Sequence, residues 1–201
     1  MKKIGIFGGT FDPIHIGHLI LADRSREQFA LDSILIVPAA MPPHKPGKVI
    51  SPSEARFEMV NAAVQGSNGL AACDIEIHRS GTSYTVDTMR ELHQRYPDTE
   101  FYLLIGGDNL KDFGKWREPV EIARLAKLCV AGRPGQLLDY NALAPPLSQE
   151  QVQEIQKGTI HMPLLDISSR EIRSRVKAGL SINYIVPQAV QDVIRRKGLY
   201  L

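Results

Sequence analysis

The chain has 201 residues, 43% hydrophobic and 23% charged, which is enough apolar material for one sizeable core; a single domain over 1–201 is expected. A formal net charge of +2 excludes a strongly basic stripe, so nucleic acid is not an expected partner, whereas small anions need only a few well-placed cations. Nowhere do ~18 consecutive apolar residues occur, and the apolar run after Met1-Lys2-Lys3 ends at Gly8-Gly9, too early for a secretory signal. No membrane partner and a cytoplasmic location are therefore expected.

In chain order, residues 4–7 form a short apolar run closed by Gly8-Gly9, the pattern of a buried strand and a turn. Residues 17–30 carry Leu21, Ala22 and Phe29 at helical spacing, and 34–37 form a second apolar strand ending at Pro38. After a Pro-rich loop over 39–50, Ser51-Pro52-Ser53-Glu54 has the form of a helix start, with Ser51 as N-cap, Pro52 at the first position and Glu54 completing a capping box. Residues 71–77 alternate like a strand, 84–96 are helical, and 101–105 form a buried strand closed by Gly106-Gly107. Residues 122–125 read as helix, 128–130 as a fifth strand, 132–146 as a loop (the least ordered part of the chain) and 159–165 as a last strand. Helices over 169–178 and 188–197 close the sequence. Cys73 and Cys129 sit in apolar runs without CxxC or Cys/His ligand spacing and read as reduced core thiols.

Strands alternating with helices imply βαβ units and right-handed crossovers. The expected fold is α/β: a Rossmann-like doubly wound parallel sheet with helices on both faces, and a small C-terminal helical part over 168–201. Ligands of such sheets bind beyond the carboxyl ends of the strands, which directs attention to the loops after Phe7, Val37, Ile105 and Val130.

The first of these loops reads Gly8-Gly9-Thr10-Phe11-Asp12-Pro13-Ile14-His15-Ile16-Gly17-His18. Paired glycines let the backbone approach a ligand, and the helix that follows turns its free N–H groups toward the same space, which suits phosphate. GxGxxG is absent and no Gly-Lys-Ser/Thr follows, so this is neither the dinucleotide fingerprint nor a P-loop. Two histidines flank Ile16-Gly17, and the missing side chain at Gly17 leaves room for a phosphate group. The pair lacks HExxH spacing and has no Cys or carboxylate pair to complete a tetrahedron, so no protein-bound metal is expected.

The stretch resembles the HxGH motif of the nucleotidylyltransferase superfamily. That resemblance implies that His15, His18 and the helix start hold the phosphates of ATP. Asp166-Ile167-Ser168-Ser169-Arg170-Glu171-Ile172-Arg173 is similar to the superfamily's second marker. Ser168 and Glu171 make a good capping box on their own, but Arg173, one turn into the same helix, suits a bound anion. Relatives often carry threonine where Arg170 stands.

Three further stretches bear on the acceptor: Ser83-Tyr84-Thr85-Val86-Asp87-Thr88 at a helix start, Gly106-Gly107-Asp108 with Trp116 beyond it, and Pro42-Pro43-His44-Lys45. Trp116 could stack on a flat ring, N–H groups near Thr85 could bind a carboxylate, and Lys45 could meet a phosphate; core filler, cap and surface lysine are the bland alternatives. Together these stretches resemble the bacterial nicotinate mononucleotide adenylyltransferases, as does Val130-Ala131-Gly132-Arg133-Pro134-Gly135. The resemblance implies ATP contacts at Gly8, Gly9, Thr10, Phe11, His15, His18, Gly106, Asp108, Arg133, Ile167, Ser168, Ser169 and Arg173. It implies acceptor contacts at Gly8, Thr10, His44, Lys45, Ser83, Tyr84, Thr85, Asp108 and Trp116.

The implied reaction is adenylyl transfer from ATP to nicotinate mononucleotide, giving nicotinate adenine dinucleotide and pyrophosphate on the route to NAD. His15, His18, Lys45 and Arg173 would be charge stabilisers, and Mg²⁺ would arrive with ATP. Other acceptors (nicotinamide mononucleotide, phosphopantetheine), a non-catalytic nucleotide binder, and an RNA-binding relative of class I aminoacyl-tRNA synthetases are the competing readings. A homo-oligomer is compatible with the sequence, which specifies no oligomeric state.

Overall fold

The computed structural model describes residues 1–43, 50–132 and 138–201. Six parallel strands, β1 (Lys2–Gly9), β2 (Ser33–Pro38), β3 (Leu70–Ala72), β4 (Thr99–Gly106), β5 (Lys127–Gly132) and β6 (Thr159–His161), form one sheet in the order β3-β2-β1-β4-β5-β6. This is the doubly wound Rossmann arrangement expected from the sequence. The chain moves outward from β1 on one side, then crosses back to β4 on the other.

The strands read as continuous apolar runs because alternate residues fill two separate cores. On β4, Phe101, Leu103 and Ile105 point to one face while Tyr102 and Leu104 point to the other. On β5, Leu128 and Val130 face one core and Cys129 and Ala131 the opposite one. One face is covered by α1 (Ile16–Gln28), α2 (Ser53–Val64), α7 (Ser169–Lys177) and α8 (Gln188–Arg196) through residues such as Leu21, Met59, Ile172 and Val190. The other is covered by α3 (Thr85–Arg95), α5 (Pro119–Leu125) and α6 (Gln149–Lys157) through Val86, Met89, Ile122 and Val152. A single-turn α4 (Gly107–Leu110) follows β4 directly. Among the described residues no helix is long and apolar enough to cross a membrane.

Four sequence expectations need correction. The strand expected over 71–77 is only Leu70–Ala72: Cys73 N–H still reaches the Ile36 carbonyl at 2.9 Å, but the chain then turns, with Ile77 N–H on Asp74 O at 2.8 Å. Cys73 is accordingly half-buried, while Cys129 is a core thiol as expected. Ser51 does not cap α2; Pro52 stands at that position, and the Ser51 carbonyl and N–H are committed to Arg56 and Asp12 instead. The last strand stops at His161 rather than continuing to 165. Finally, α6 was not anticipated, although Ser148 and Gln151 make a reciprocal capping box at its start.

Candidate active site

In an open sheet of this order the crevice lies where β1 and β4 part, beyond their carboxyl ends. A cavity of about 790 Å³ opens there. Its floor is the two glycine-ended strands. Gly8 has open space where a Cβ would sit, whereas a Cβ on Gly9 would lie 2.8 Å from the Phe11 ring. Gly9 is thus the residue that lets Phe11, itself buried and left-handed at φ 47°, fold back beneath the loop.

His15 is the N-cap of α1 and His18 lies three residues on, so both rings reach the mouth of that helix. The rings stack with centroids 3.7 Å apart, and His15 N–H donates to His18 Nδ1 at 3.2 Å. That bond leaves the neutral His18 ring with its hydrogen on Nε2, a donor on a ring that lines the cavity. His15 Nδ1 is buried and has no hydrogen-bond partner among the described residues. A Cβ on Gly17 would stand 3.2 Å from the His15 ring. The glycine between the histidines therefore makes room first for that imidazole, and only beyond it for a ligand.

The late helix docks on the same loop. Ser168 caps α7, accepting Glu171 N–H at 3.2 Å, and Ser169 Oγ donates to the Pro13 carbonyl at 2.9 Å. Arg173 Nη1 donates to the Asp12 carbonyl at 2.6 Å. The starts of α1 and α7 thereby converge on one cavity, two positive dipole ends beside two imidazoles. At the far end of the cavity Ser83, Tyr84 and Thr85 form the start of α3, and Trp116 leans on Phe113 at a centroid distance of 5.3 Å. Anion-binding and flat-ring chemistry thus share one space.

The cytidylyltransferase-like family model matches residues 6–175. The probable nicotinate-nucleotide adenylyltransferase of Desulfitobacterium hafniense is 40% identical over 200 residues, covering 99% of this chain and 96% of that protein. That of Lachnoclostridium phytofermentans is 39% identical over 201 residues and covers 100% of both. The chain belongs to the nicotinate-nucleotide adenylyltransferases. The Plasmodium falciparum nicotinic acid mononucleotide adenylyltransferase complexed with NaAD shares the fold, with a TM-score of 0.77 at 22% identity over 100% of this chain and 98% of that one.

In this adenylyltransferase the cavity gathers Gly8, Gly9, Thr10, Phe11, His15, His18, Ser83, Tyr84, Thr85, Gly106, Asp108, Trp116, Ile167, Ser168 and Ser169, all expected from the sequence. Arg173 is the exception: its guanidinium is turned to the Asp12 carbonyl and does not line the cavity. His44, Lys45 and Arg133 lie outside the described residues. Sequence reasoning missed Arg56, 1% exposed, whose guanidinium donates to the carbonyls of Thr10 (2.8 Å), Ser51 (2.9 Å) and Ala40 (3.1 Å). It also missed the Asp12 carboxylate, which accepts Tyr200 O–H at 2.7 Å and Ser51 N–H at 3.3 Å. Arg56 had left a signal, since it shares the helical stripe of Met59, Val60 and Val64, where an unpaired charge is out of place.

Burial sets the state of the histidines. Desolvation lowers His15 to about 4, and desolvation followed by the neighbouring His15 charge holds His18 well below the usual range. Both are neutral near pH 7 in the free enzyme. An unfolded chain binds a proton at His15 near pH 6.5 that the native state rejects, so the His15 contribution to stability rises with pH between about 4 and 6.5 and is complete above that; His18, also lowered, acts in the same direction. Urea unfolding across this range should give a positive slope that is smaller in His15→Asn. Equal slopes would mean that burial does not hold His15 neutral.

Proposed function

We propose that the chain adenylylates nicotinate mononucleotide, its family's reaction, and that the cavity beyond β1 and β4 is the catalytic site. The observation that carries the reading is the pairing, within one cavity, of stacked imidazoles at the α1 start with an aromatic wall and the free N–H groups of α3. The first suits a triphosphate; the second suits a pyridine ring bearing a carboxylate.

In this reaction an oxygen of the acceptor's 5′-phosphate attacks the α-phosphorus of ATP in line. The new P–O bond forms as the bond from the α-phosphorus to the bridging oxygen breaks, and pyrophosphate leaves with that electron pair. Such transfers need positioning and charge neutralisation rather than a protein nucleophile. The Nε2–H of His18 and the Gly17 N–H at the α1 start face the phosphates, and His15 supports His18 from behind. Lys45 adds positive charge, and Arg173 contributes its own from behind the loop, where it holds the Asp12 carbonyl. Mg²⁺ enters as part of the substrate, chelated by the triphosphate. ATP being abundant in the cytoplasm, the reading assigns the enzyme to that compartment. It treats 1–201 as one catalytic unit, because α7 and Tyr200 both bond the phosphate loop.

The test is pyrophosphate release from MgATP with nicotinate mononucleotide and, in parallel, nicotinamide mononucleotide. A carboxylate bound by helix N–H groups and lost in the amide is worth about 1.5–3 kcal/mol, roughly a 10- to 100-fold preference for nicotinate. Equal rates would remove the carboxylate role of the 83–85 segment, and no release with either would remove the reaction.

A further inference from the structure

Below the α3 end of the cavity lies a buried carboxylate that the proposed chemistry does not use. Glu76 is 7% exposed and sits in the turn after β3, yet it lines the cavity wall. Its Oε1 accepts the Thr88 hydroxyl at 2.6 Å, and Thr88 Oγ1 accepts Arg79 Nη2 at 2.8 Å. Ser83 stands beside the same carboxylate and favours its charged form. Ser83 is joined in turn to Met41 twice: its N–H donates to the Met41 carbonyl at 2.9 Å, and Met41 N–H donates to its Oγ at 3.2 Å. One carboxylate therefore links the turn after β3, the first turns of α3 and the chain beyond β2.

A buried charge is costly unless it is well bonded, and an apolar trio of similar volume would pack here without that penalty. What the polar set supplies is a single orientation for the start of α3, where the Thr85 and Val86 N–H groups precede the first intrahelical bonds. We infer that Glu76 is a positioning residue for the acceptor: through Thr88 and Ser83 it locks α3 and the Met41 segment into one wall, and so sets acceptor affinity and the preference for a carboxylate over a carboxamide. Its Oε1 is taken up by Thr88, and Arg79 and Arg56 offset its charge, so the wall offers N–H groups rather than a repelling anion. The inference rests on the reading that residues 83–85 and Trp116 face the pyridine ring.

The parent enzyme is assayed first with both mononucleotides; a parent that does not prefer nicotinate sinks that reading and this inference together. With the preference established, Glu76→Ala and the near-isosteric Thr88→Val are compared by steady-state kinetics and thermal unfolding. Each should raise KM for nicotinate mononucleotide about 10-fold, the scale of lost buried hydrogen bonding, and lower the nicotinate preference while leaving KM for ATP unchanged. Glu76→Gln, which keeps an acceptor for Thr88, should restore most of the affinity. Folded Thr88→Val with the parent's acceptor KM and preference would overturn the proposal, as would an equal rise in KM for both substrates.

Discussion

Replacing His18 with alanine is expected to lower turnover by roughly 100- to 1,000-fold, the usual loss when one preorganised donor to transition-state charge is removed. The reason lies in the ring's setting. His15 N–H occupies His18 Nδ1, so the remaining nitrogen is a fixed donor on the cavity wall at the positive end of α1. Charge that accumulates on the α-phosphate and the departing pyrophosphate meets a dipole already in place. The acceptor's ring binds at the other end of the cavity, so KM for nicotinate mononucleotide should change little. Because His18 also stacks on His15 and accepts its N–H, thermal unfolding is measured alongside, so that lost turnover is not mistaken for a lost fold. Single-turnover pyrophosphate release separates chemistry from product release. A variant that retains near-parental turnover would remove His18 from the chemistry.

The largest effect on stability is expected at Arg56. Arg56→Met removes a guanidinium that satisfies three backbone carbonyls from three segments and balances the nearby Asp12. Breaking such a buried charge system costs about 3–5 kcal/mol, because the partners stay buried without donors. For a domain of this size that corresponds to a fall in melting temperature of about 10 °C. Arg56→Lys keeps the charge but not the planar fork, and should recover only part of the loss. Activity should fall further than stability alone explains, since the Thr10 carbonyl belongs to the phosphate loop. A thermal shift below about 2 °C for Arg56→Met would show that solvent or local rearrangement replaces the three bonds.

Much of the architecture was legible because its signals are local or periodic. Residues 4–7, 34–37 and 101–105 are apolar without interruption, and only a strand covered on both faces needs that. The Gly8-Gly9 and Gly106-Gly107 pairs marked the strand ends that became the cavity floor. Where the sequence misled, a distant partner had overridden a local pattern. The alternation over 71–77 looked like a strand, but Glu76 leaves any ladder to accept the Thr88 hydroxyl. Ser51 looked like a cap, but its backbone is engaged by Arg56 and Asp12. The α6 helix was missed although Ser148 and Gln151 announced it with a capping box.

The sequence by itself determined the family, the sheet class and most of the cavity's lining, because these depend on residue type and on spacing within one segment. It could not determine that the Gly17 gap is filled first by the His15 ring, that Arg173 turns to the Asp12 carbonyl, or that Arg56, Asp12 and Tyr200 hold the phosphate loop. Those contacts join residues up to 188 positions apart. A side-chain hydrogen bond reaches about 3 Å, and only the closed sheet with α7 and α8 packed on it brings such residues within that range.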